Sequence, residues 1–527
     1  MIGREFTVGL LRNVVTKSEE ELNRLLHDLQ LSEFIYEQPA AGDIEYTFKH
    51  ALTHEVAHNS ILSERRKMLH ERAARAIESL YVSSLDDHLA DLARHYGRSE
   101  NGAKAAEYLC RAGEQAAQRA AYREAEAYLD AGLERVRTLA DSPARSRAEL
   151  RIQIGKGQLI QATTGLTAPG AILSFNRARE LCKLIGDDAQ LFLMLDGLRW
   201  SSLFRLELEE ARHLAEEQMA LAGRSSDPVN SALAGGALGE VLLWIGDYPA
   251  ARRCLEPLVS TGFRDLRGPA LQNLVVGRSI LASVLLMLGF GDQAIKRRDE
   301  TLAWVRGLGL PDPTATAFNI ASRLDHWCRS PQSALEHSRI CIETSIEHGL
   351  GREVWMATIM KGWALSYRGQ VEEGIAEMRG GIEAAESTGV VIPTWCLFPS
   401  AEEYLRAGRS SEAGEVVDQM LERVQSAGNR EDEADVYRLK GELSMMRAAP
   451  DQLAAEKWFR AAIEVARRQS AKLYELRANM SLARLLRDTD RSDEARTILT
   501  GIYNGFTEGF DTPDLKDAKA LLEELGA

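Results

Sequence analysis

From about residue 100 onward apolar residues recur at helical spacing, in stretches such as "SALAGGALGEVLLWIG" and "GRSILASVLLMLG", each followed by a turn and a second amphipathic run. That pattern predicts helices in pairs. In the second helix of each pair a small residue returns roughly every 40 positions, at Ala125, Ala211, Ala251, Ala294, Ala334, Gly374, Ala413, Ala455 and Ala495. The first interval is close to two periods, so a degenerate unit is expected around residues 150–185. Each anchor follows a Gly, Arg or polar turn residue by five places, as in "GDYPAA", "GFGDQA", "GQVEEG" and "GRSSEA". Twelve places before the anchor lies a second small residue: Gly113, Gly239, Ala282, Ser322, Gly362, Ala401 or Ala483, with Gly441 fitting after a loop two residues longer. Two antiparallel helices approach closely only where each presents a small side chain, so the paired positions are a packing device. A repeat of this length means a solenoid, in which each unit buries its apolar face against its neighbours. The expected fold is therefore all-α, a right-handed α-solenoid over residues 81–527, and binding is its default role.

The segment "ALGEVLLWIGDYPAARRCL" resembles a tetratricopeptide (TPR) repeat, with Leu238, Gly239, Ala251 and Leu255 in register. The period exceeds the usual 34 or so residues of that family, which implies longer helices or loops.

Bulk properties agree with a helical array. A hydrophobic content of 45% with 27% charged residues and 14 Pro excludes a disordered chain. The longest apolar run, "ILASVLLMLGF", falls short of the ~18 residues of a membrane span and reads as a repeat helix. No basic region with a following apolar stretch opens the chain, so a cytoplasmic location is expected. Cys110, Cys182, Cys254, Cys328, Cys341 and Cys396 show no CxxC pairing and read as reduced core thiols. A net charge of −14 opposes binding to nucleic acid, which needs a positive field. The local cluster "SERRKMLHERAARA" interleaves Glu64, Glu71 and Glu78 with Arg65, Arg66, Lys67, Arg72 and Arg75, the mark of a solvated helix face.

Residues 1–80 fall outside the repeat. "REFTVGLLRNVV" and "SEEELNRLLHDLQLSEFI" read as two helices, the second with Ser18 as N-cap and Glu21 completing a capping box. "FIYEQPAAGDIEYTFKH" reads as a hairpin around Pro39–Asp43. Helix, helix, hairpin, helix is a winged-helix-like order, but its would-be recognition helix, residues 19–30, carries Glu19, Glu20, Glu21 and Asp28 against Arg24. DNA readout is not expected. "HEVAH", His54 to His58, matches HExxH, which on a helix places two imidazoles on one face for zinc with a Glu as base. A catalytic site needs a third protein ligand, and Asn59, Ser60 and Ile61 do not continue the motif, while Glu78 lies in another helix. The expectation is a structural helix, with no metal and no cofactor.

"IGREF", "YTFKHAL" and "LSERRKMLHERAARAIE" resemble the segment after the ATPase core of bacterial STAND-type regulators, especially those fused to class III adenylate or guanylate cyclases. "FTEGFDTPDLKDAKALLEEL" is similar to the end of the TPR arrays in the same proteins. The resemblance implies a winged-helix-like domain over residues 1–80 and a sensor array over 81–527, belonging to a larger signalling architecture. No GxxxxGK[ST] phosphate loop occurs, so ATP hydrolysis and cyclic-nucleotide synthesis are not expected of these residues. The expected function is a non-catalytic sensor and protein-interaction module for an ATPase or cyclase chain; the alternative is a stand-alone TPR adaptor. Carrying over the inward-facing TPR positions places Trp244, Met287, Arg323, His326, Trp327, Met356, Trp363, Tyr367, Trp395, Phe398 and Arg406 on a concave wall. Such a wall suits an extended peptide or a small polar ligand with an anionic group.

Overall fold

In the computed structural model, which describes residues 3–39, 44–119, 121–224, 227–260, 266–446 and 448–526, the first element is a strand. The helix expected over "REFTVGLLRNVV" is shorter than read: β1 (Glu5–Thr7) pairs antiparallel with a later strand, and α1 (Val8–Val14) starts only after it. Thr7 ends the strand and caps the helix, its hydroxyl accepting the Leu10 N–H at 3.3 Å. α2 (Glu19–Leu31) begins as expected at Ser18, which accepts the Glu21 N–H, but the Glu21 carboxylate turns to Lys17 instead of closing the box. β2 (Ile35–Pro39) and β3 (Ile44–Phe48) form the hairpin, and the sheet order is β1-β3-β2. The turn residues Ala40–Asp43 lie outside the described residues. α3 (Ala51–Asn59), α4 (Ser63–Leu80) and, after a 3₁₀ segment, α5 (Leu89–Gly97) follow. One core runs from Ala74 and Ile77 of α4 through Leu92 and Tyr96 to Tyr108 and Leu109.

The array then unfolds in pairs. They are α6 (Gly102–Gln118) with α7 (Tyr122–Arg137), α8 (Pro143–Thr164) with α9 (Pro169–Ile185), and α10 (Asp188–Phe204) with α11 (Leu208–Ala222). Next come α12 (Pro228–Ile245) with α13 (Tyr248–Leu255), the short α14 (Pro257–Ser260), and α15 (Gly268–Met287) with α16 (Gly291–Leu308). α17 (Pro311–Trp327) pairs with α18 (Pro331–His348), α19 (Gly351–Tyr367) with α20 (Val371–Glu386), and α21 (Thr394–Arg406) with α22 (Ser410–Ala427). α23 (Glu433–Met445) with α24 (Gln452–Gln469) and α25 (Lys472–Arg487) with α26 (Ser492–Tyr503) complete the pairs, and α27 (Pro513–Gly526) closes the described chain. α8 and α9 are the degenerate unit expected around residues 150–185.

Each anchor residue is the fourth of its helix and is buried. A Cβ on Gly239 would fall 2.7 Å from Leu255 Cγ, and one on Gly362 would fall 2.6 Å from the Gly374 carbonyl oxygen. The small pairs therefore set the closeness of the two helices, as the spacing predicts. The turn residue five places before the anchor is equally physical: Gly246, Gly289, Gly369 and Gly408 all have positive φ, the left-handed region that Gly enters without strain. In three units a residue with a side chain holds that position: Leu206 at φ +56°, Arg329 at φ +53° and Asp490 at φ +58°.

The chain forms two compact units, residues 3–163 with 169–191, and 164–168 with 192–526. Within the second unit the array returns upon itself. The Val391 N–H donates to the Phe204 carbonyl at 2.9 Å, Arg430 N–H to the Trp244 carbonyl at 3.0 Å, and the Gln293 N–H to the Glu508 carboxylate at 3.0 Å. The Asn429 side chain also reaches the Trp244 carbonyl, 185 positions away. Loops of late repeats thus rest on turns of early ones.

Two helices in this unit, α12 and α15, are long and apolar enough to cross a membrane, contrary to the reading that no run approaches that length. Their apolar windows are 67% and 83% buried inside the fold, the behaviour of core helices.

Candidate ligand-binding cavity

Returning loops decide which of the expected wall residues remain open. Residues 429–432, between α22 and α23, run through the inside of the second unit, with Asn429, Glu431 and Asp432 fully buried. Arg323 donates to Glu431 while its guanidinium lies 4.5 Å from the Trp327 ring and 4.4 Å from the Trp395 ring. Tyr248 donates to the Glu431 carbonyl, and Asp432 accepts from Thr394 Oγ1 at 2.8 Å and Tyr474 Oη at 2.6 Å. Burial pushes the Asp432 carboxyl up, against the pull of the Tyr474 bond and Arg323.

The wall expected to face an outside ligand therefore faces the chain's own loop at Arg323, which Trp327 and Trp395 flank, while Trp244 meets the loop through its backbone carbonyl and sets its ring against Phe204. Met287, Met356 and Phe398 are buried in the apolar cores on either side of the wall. Among the described residues these side chains are covered by the loop and the two cores and form no open groove.

A cavity of about 420 Å³ survives where the last four pairs converge. Trp363 and Tyr367 come from the end of α19, Glu402, Glu403, Leu405 and Arg406 from α21, Arg438, Leu439, Glu442 and, just past its end, Met446 from α23. Arg477, Met480, Ser481 and Arg484 come from α25, Asp514 and Asp517 from α27, and Arg329 from the turn after α17. Of the expected residues the cavity brings together Trp363, Tyr367 and Arg406, with His326 immediately behind.

His326 donates from Nε2 to Glu402 at 2.9 Å, since a carboxylate only accepts, and its ring meets Trp363 edge-on at 4.7 Å. Burial raises the Glu402 carboxyl, but the His326 bond and the charges of His326, Arg477 and Arg438 more than reverse this and hold it at about 2. Arg406 lies 5.3 Å over Tyr367, donates to the Ser366 carbonyl at 2.6 Å and pairs with the buried Glu403. Arg438 is clamped by Asp435, Arg477 by Asp514 at 3.0 Å, and Arg329 by Asp517 at 2.6 Å. Arg484 is exposed, and among the described residues its guanidinium makes no ion pair or hydrogen bond.

Five arginines and five carboxylates line the cavity, so it is close to neutral overall yet strongly polar. It can hold a ligand that offers acceptors to Arg484 and Arg406, a donor to Glu442, and a flat or apolar part to Trp363, Tyr367, Met446 and Met480. The residues of α23 and α25 lie outside the sequence reading, although the signal was present. The inward positions counted from Gly441 and Ala483 include Arg438, Glu442, Met446, Arg477, Met480 and Arg484, the same register that gives Trp363 and Arg406.

His54 and His58 of "HEVAH" share one face of α3, with ring centroids 6.4 Å apart and His54 edge-on to Phe48. Among the described residues no three His, Cys, Asp or Glu side chains are placed to hold a metal. The six cysteines are free thiols, all buried except the half-buried Cys254. Burial pushes the Cys182 and Cys328 thiols up to about 11 and about 12.

No family model matches the chain. It is 22% identical over 507 residues, 92% of its length, to the uncharacterized protein R02095 of Rhizobium meliloti (strain 1021), and spans about half of that relative (48%). Among solved structures it is similar to a Rap protein complexed with competence and sporulation factor, at TM-score 0.45 and 12% identity, covering 73% of this chain and 99% of that one. It is also similar to PH0952 of Pyrococcus horikoshii, a STAND protein with a tetratricopeptide repeat sensor, at TM-score 0.39 and 14% identity, covering 75% of this chain and 56% of that one. By its own geometry of paired helices, small-residue contacts and left-handed turns, the chain is an all-α, TPR-like helical-repeat protein preceded by a small sheet-bearing segment.

Proposed function

We propose that this chain is the sensor and interaction module of a larger STAND-type signalling protein, with the cavity between α19 and α27 as its ligand site. The observation that carries the reading is the convergence of five inner helix ends on one polar cavity. A ligand there touches α19, α21, α23, α25 and α27 at once, so its binding free energy acts on the relative setting of four repeats. The near-balance of guanidinium and carboxylate groups suits a zwitterion, such as a short peptide, better than a polyphosphate, which five carboxylates repel.

The first unit supports a place within a larger assembly. Leu31, Leu52, Leu62 and Val82 are all about seven-tenths exposed or more, an apolar display that fits docking to another domain or chain rather than to water. The winged-helix-like segment would then relay the array's state to that partner.

Calorimetric titration with a panel of di- to hexapeptides, against wild type and Arg484→Ala, tests the site. The expected result is at least one peptide that binds wild type and is weakened tenfold or more by the substitution, with melting unchanged. Polyphosphates binding tightly while no peptide does would overturn it.

A further inference from the structure

Helices α3, α4 and α5 bring four histidines into a row: His54, His58, His70 and His95. Their successive ring centroids lie 6.4, 6.2 and 5.1 Å apart. His70 and His95 are buried, and their Nδ1 atoms share a hydrogen bond of 3.0 Å between α4 and α5. Such a bond needs one of the two nitrogens bare. When both rings are protonated, both Nδ1 atoms carry hydrogens, the bond is lost and two like charges face each other at that distance.

Among the described residues the surroundings do little to compensate those charges. Nε2 of His54, of His58 and of His95 is buried without a hydrogen-bond partner among the described residues, so an added N–H finds no acceptor there. The ionised groups that face the row are Arg94 and Asp91 on α5, Arg98 after it and Arg4 before β1, three cations against one anion. Asp91 on α5 is already bound to Arg94 at 2.7 Å. On α4, Glu71 is held by Arg75 and Asn101, and Glu78 by Tyr96, Tyr108 and Lys104, the last two from α6. Burial first, and the arginine charges second, hold His70 at about 4 and His95 at about 3.

We propose that this histidine row is an acid-triggered joint: protonation of His70 and His95 parts α5 from α4, releases α3, and uncouples the sheet-bearing segment from the first repeat helices. The sign follows from proton uptake. Both rings are neutral when packed and regain an ordinary histidine value, near 6.5, when opened, so the open form binds more protons between about pH 6.5 and pH 4. Acid favours opening.

Hydrogen–deuterium exchange of the whole chain at pH 7 and pH 5, corrected for the intrinsic exchange rate, reads the opening directly. Two protons taken up predict a rise in the opening equilibrium of residues 51–97 of roughly 10²- to 10³-fold. Residues 472–526 contain no histidine and serve as the internal reference. In His70→Gln/His95→Gln, whose amides keep a neutral hydrogen bond, the rise should fall to the small remainder that His54 contributes. In the single His95→Gln it should shrink by roughly tenfold or more, which keeps the test decisive if the double variant does not fold. Protection of 51–97 that is the same at both pH values, or a rise that persists in full in the variants, would overturn the joint.

Discussion

Arg329 donates to the Asp517 carboxylate at 2.6 Å, fastening the turn after α17 to the terminal helix α27 beside the cavity. It does so from φ +53°, where the equivalent turn residue of four other repeats is Gly. A side chain in that region costs about 1–2 kcal/mol, so the position is strained and the ion pair holds it. Arg329→Ala keeps the strain and loses the guanidinium, whereas Arg329→Gly loses both. Chemical denaturation should find the Gly variant more stable than the Ala variant by about 1 kcal/mol. Equal stability, or the reverse order, would show that the backbone there is unstrained.

The small-residue contacts give a second prediction. A Cβ at Gly362 meets backbone, at 2.6 Å from the Gly374 oxygen and 2.7 Å from the Met378 nitrogen, so Gly362→Ala should cost about 1–3 kcal/mol. Gly380 in α20 has nothing within 4 Å of its Cβ position, and Gly380→Ala should stabilise by up to about 1 kcal/mol. Thermal melts of the two variants shifting in the same direction would contradict the register.

How much of this is legible in the sequence follows from what each feature depends upon. The anchors at Ala251 or Ala413 and the Gly five places earlier depend on contacts within one helix pair, and spacing reveals them. The loop at Asn429–Asp432 meets Trp244 at a separation of 185 residues, which depends on the pitch of the superhelix. No local pattern encodes that pitch, so the tryptophans it covers read as an open wall. Arg438 and Arg484 were reachable by extending one count through two more repeats. The strand Glu5–Thr7 is too short for its period to separate from helix, and β3 decides it. His70 and His95 are 25 positions apart on different helices, and only the packing of α4 on α5 joins them.

At the cavity, acid should act through Glu402. Its carboxyl sits at about 2, below its ordinary 4.5, so it contributes stability that is fully present above pH 4.5 and is lost as pH falls towards 2. Glu402→Gln leaves His326 with a weaker acceptor and should cost about 1–3 kcal/mol near pH 7. The gap between wild type and variant should narrow steadily as pH falls from 4.5 to 3 in urea titrations. A gap independent of pH would remove the Glu402 carboxylate from the account.

Thiol chemistry offers a separate check on packing. Burial raises all six thiols, but Cys254 is only half-buried, whereas Cys110, Cys182, Cys328, Cys341 and Cys396 are hidden. A disulfide reagent should label one thiol per native chain quickly, lost in Cys254→Ser, and six in denaturant. Rapid labelling of three or more native thiols would mean that the repeats are looser than described.

The most direct measurement is indole ¹⁵N NMR of the eight tryptophans during titration with a peptide that the calorimetric panel selects. Trp363 lines the cavity, whereas Trp304 and Trp458 pack against Arg278 and Tyr437 elsewhere in the array. The account predicts that the Trp363 resonance, assigned by Trp363→Phe, shifts with saturation, that Trp304 and Trp458 stay fixed, and that Arg484→Ala moves the midpoint of the shift at least tenfold higher in peptide without changing the melting temperature. Saturable shifts at Trp304 or Trp458 with Trp363 unmoved, or an unmoved midpoint in Arg484→Ala, would contradict it.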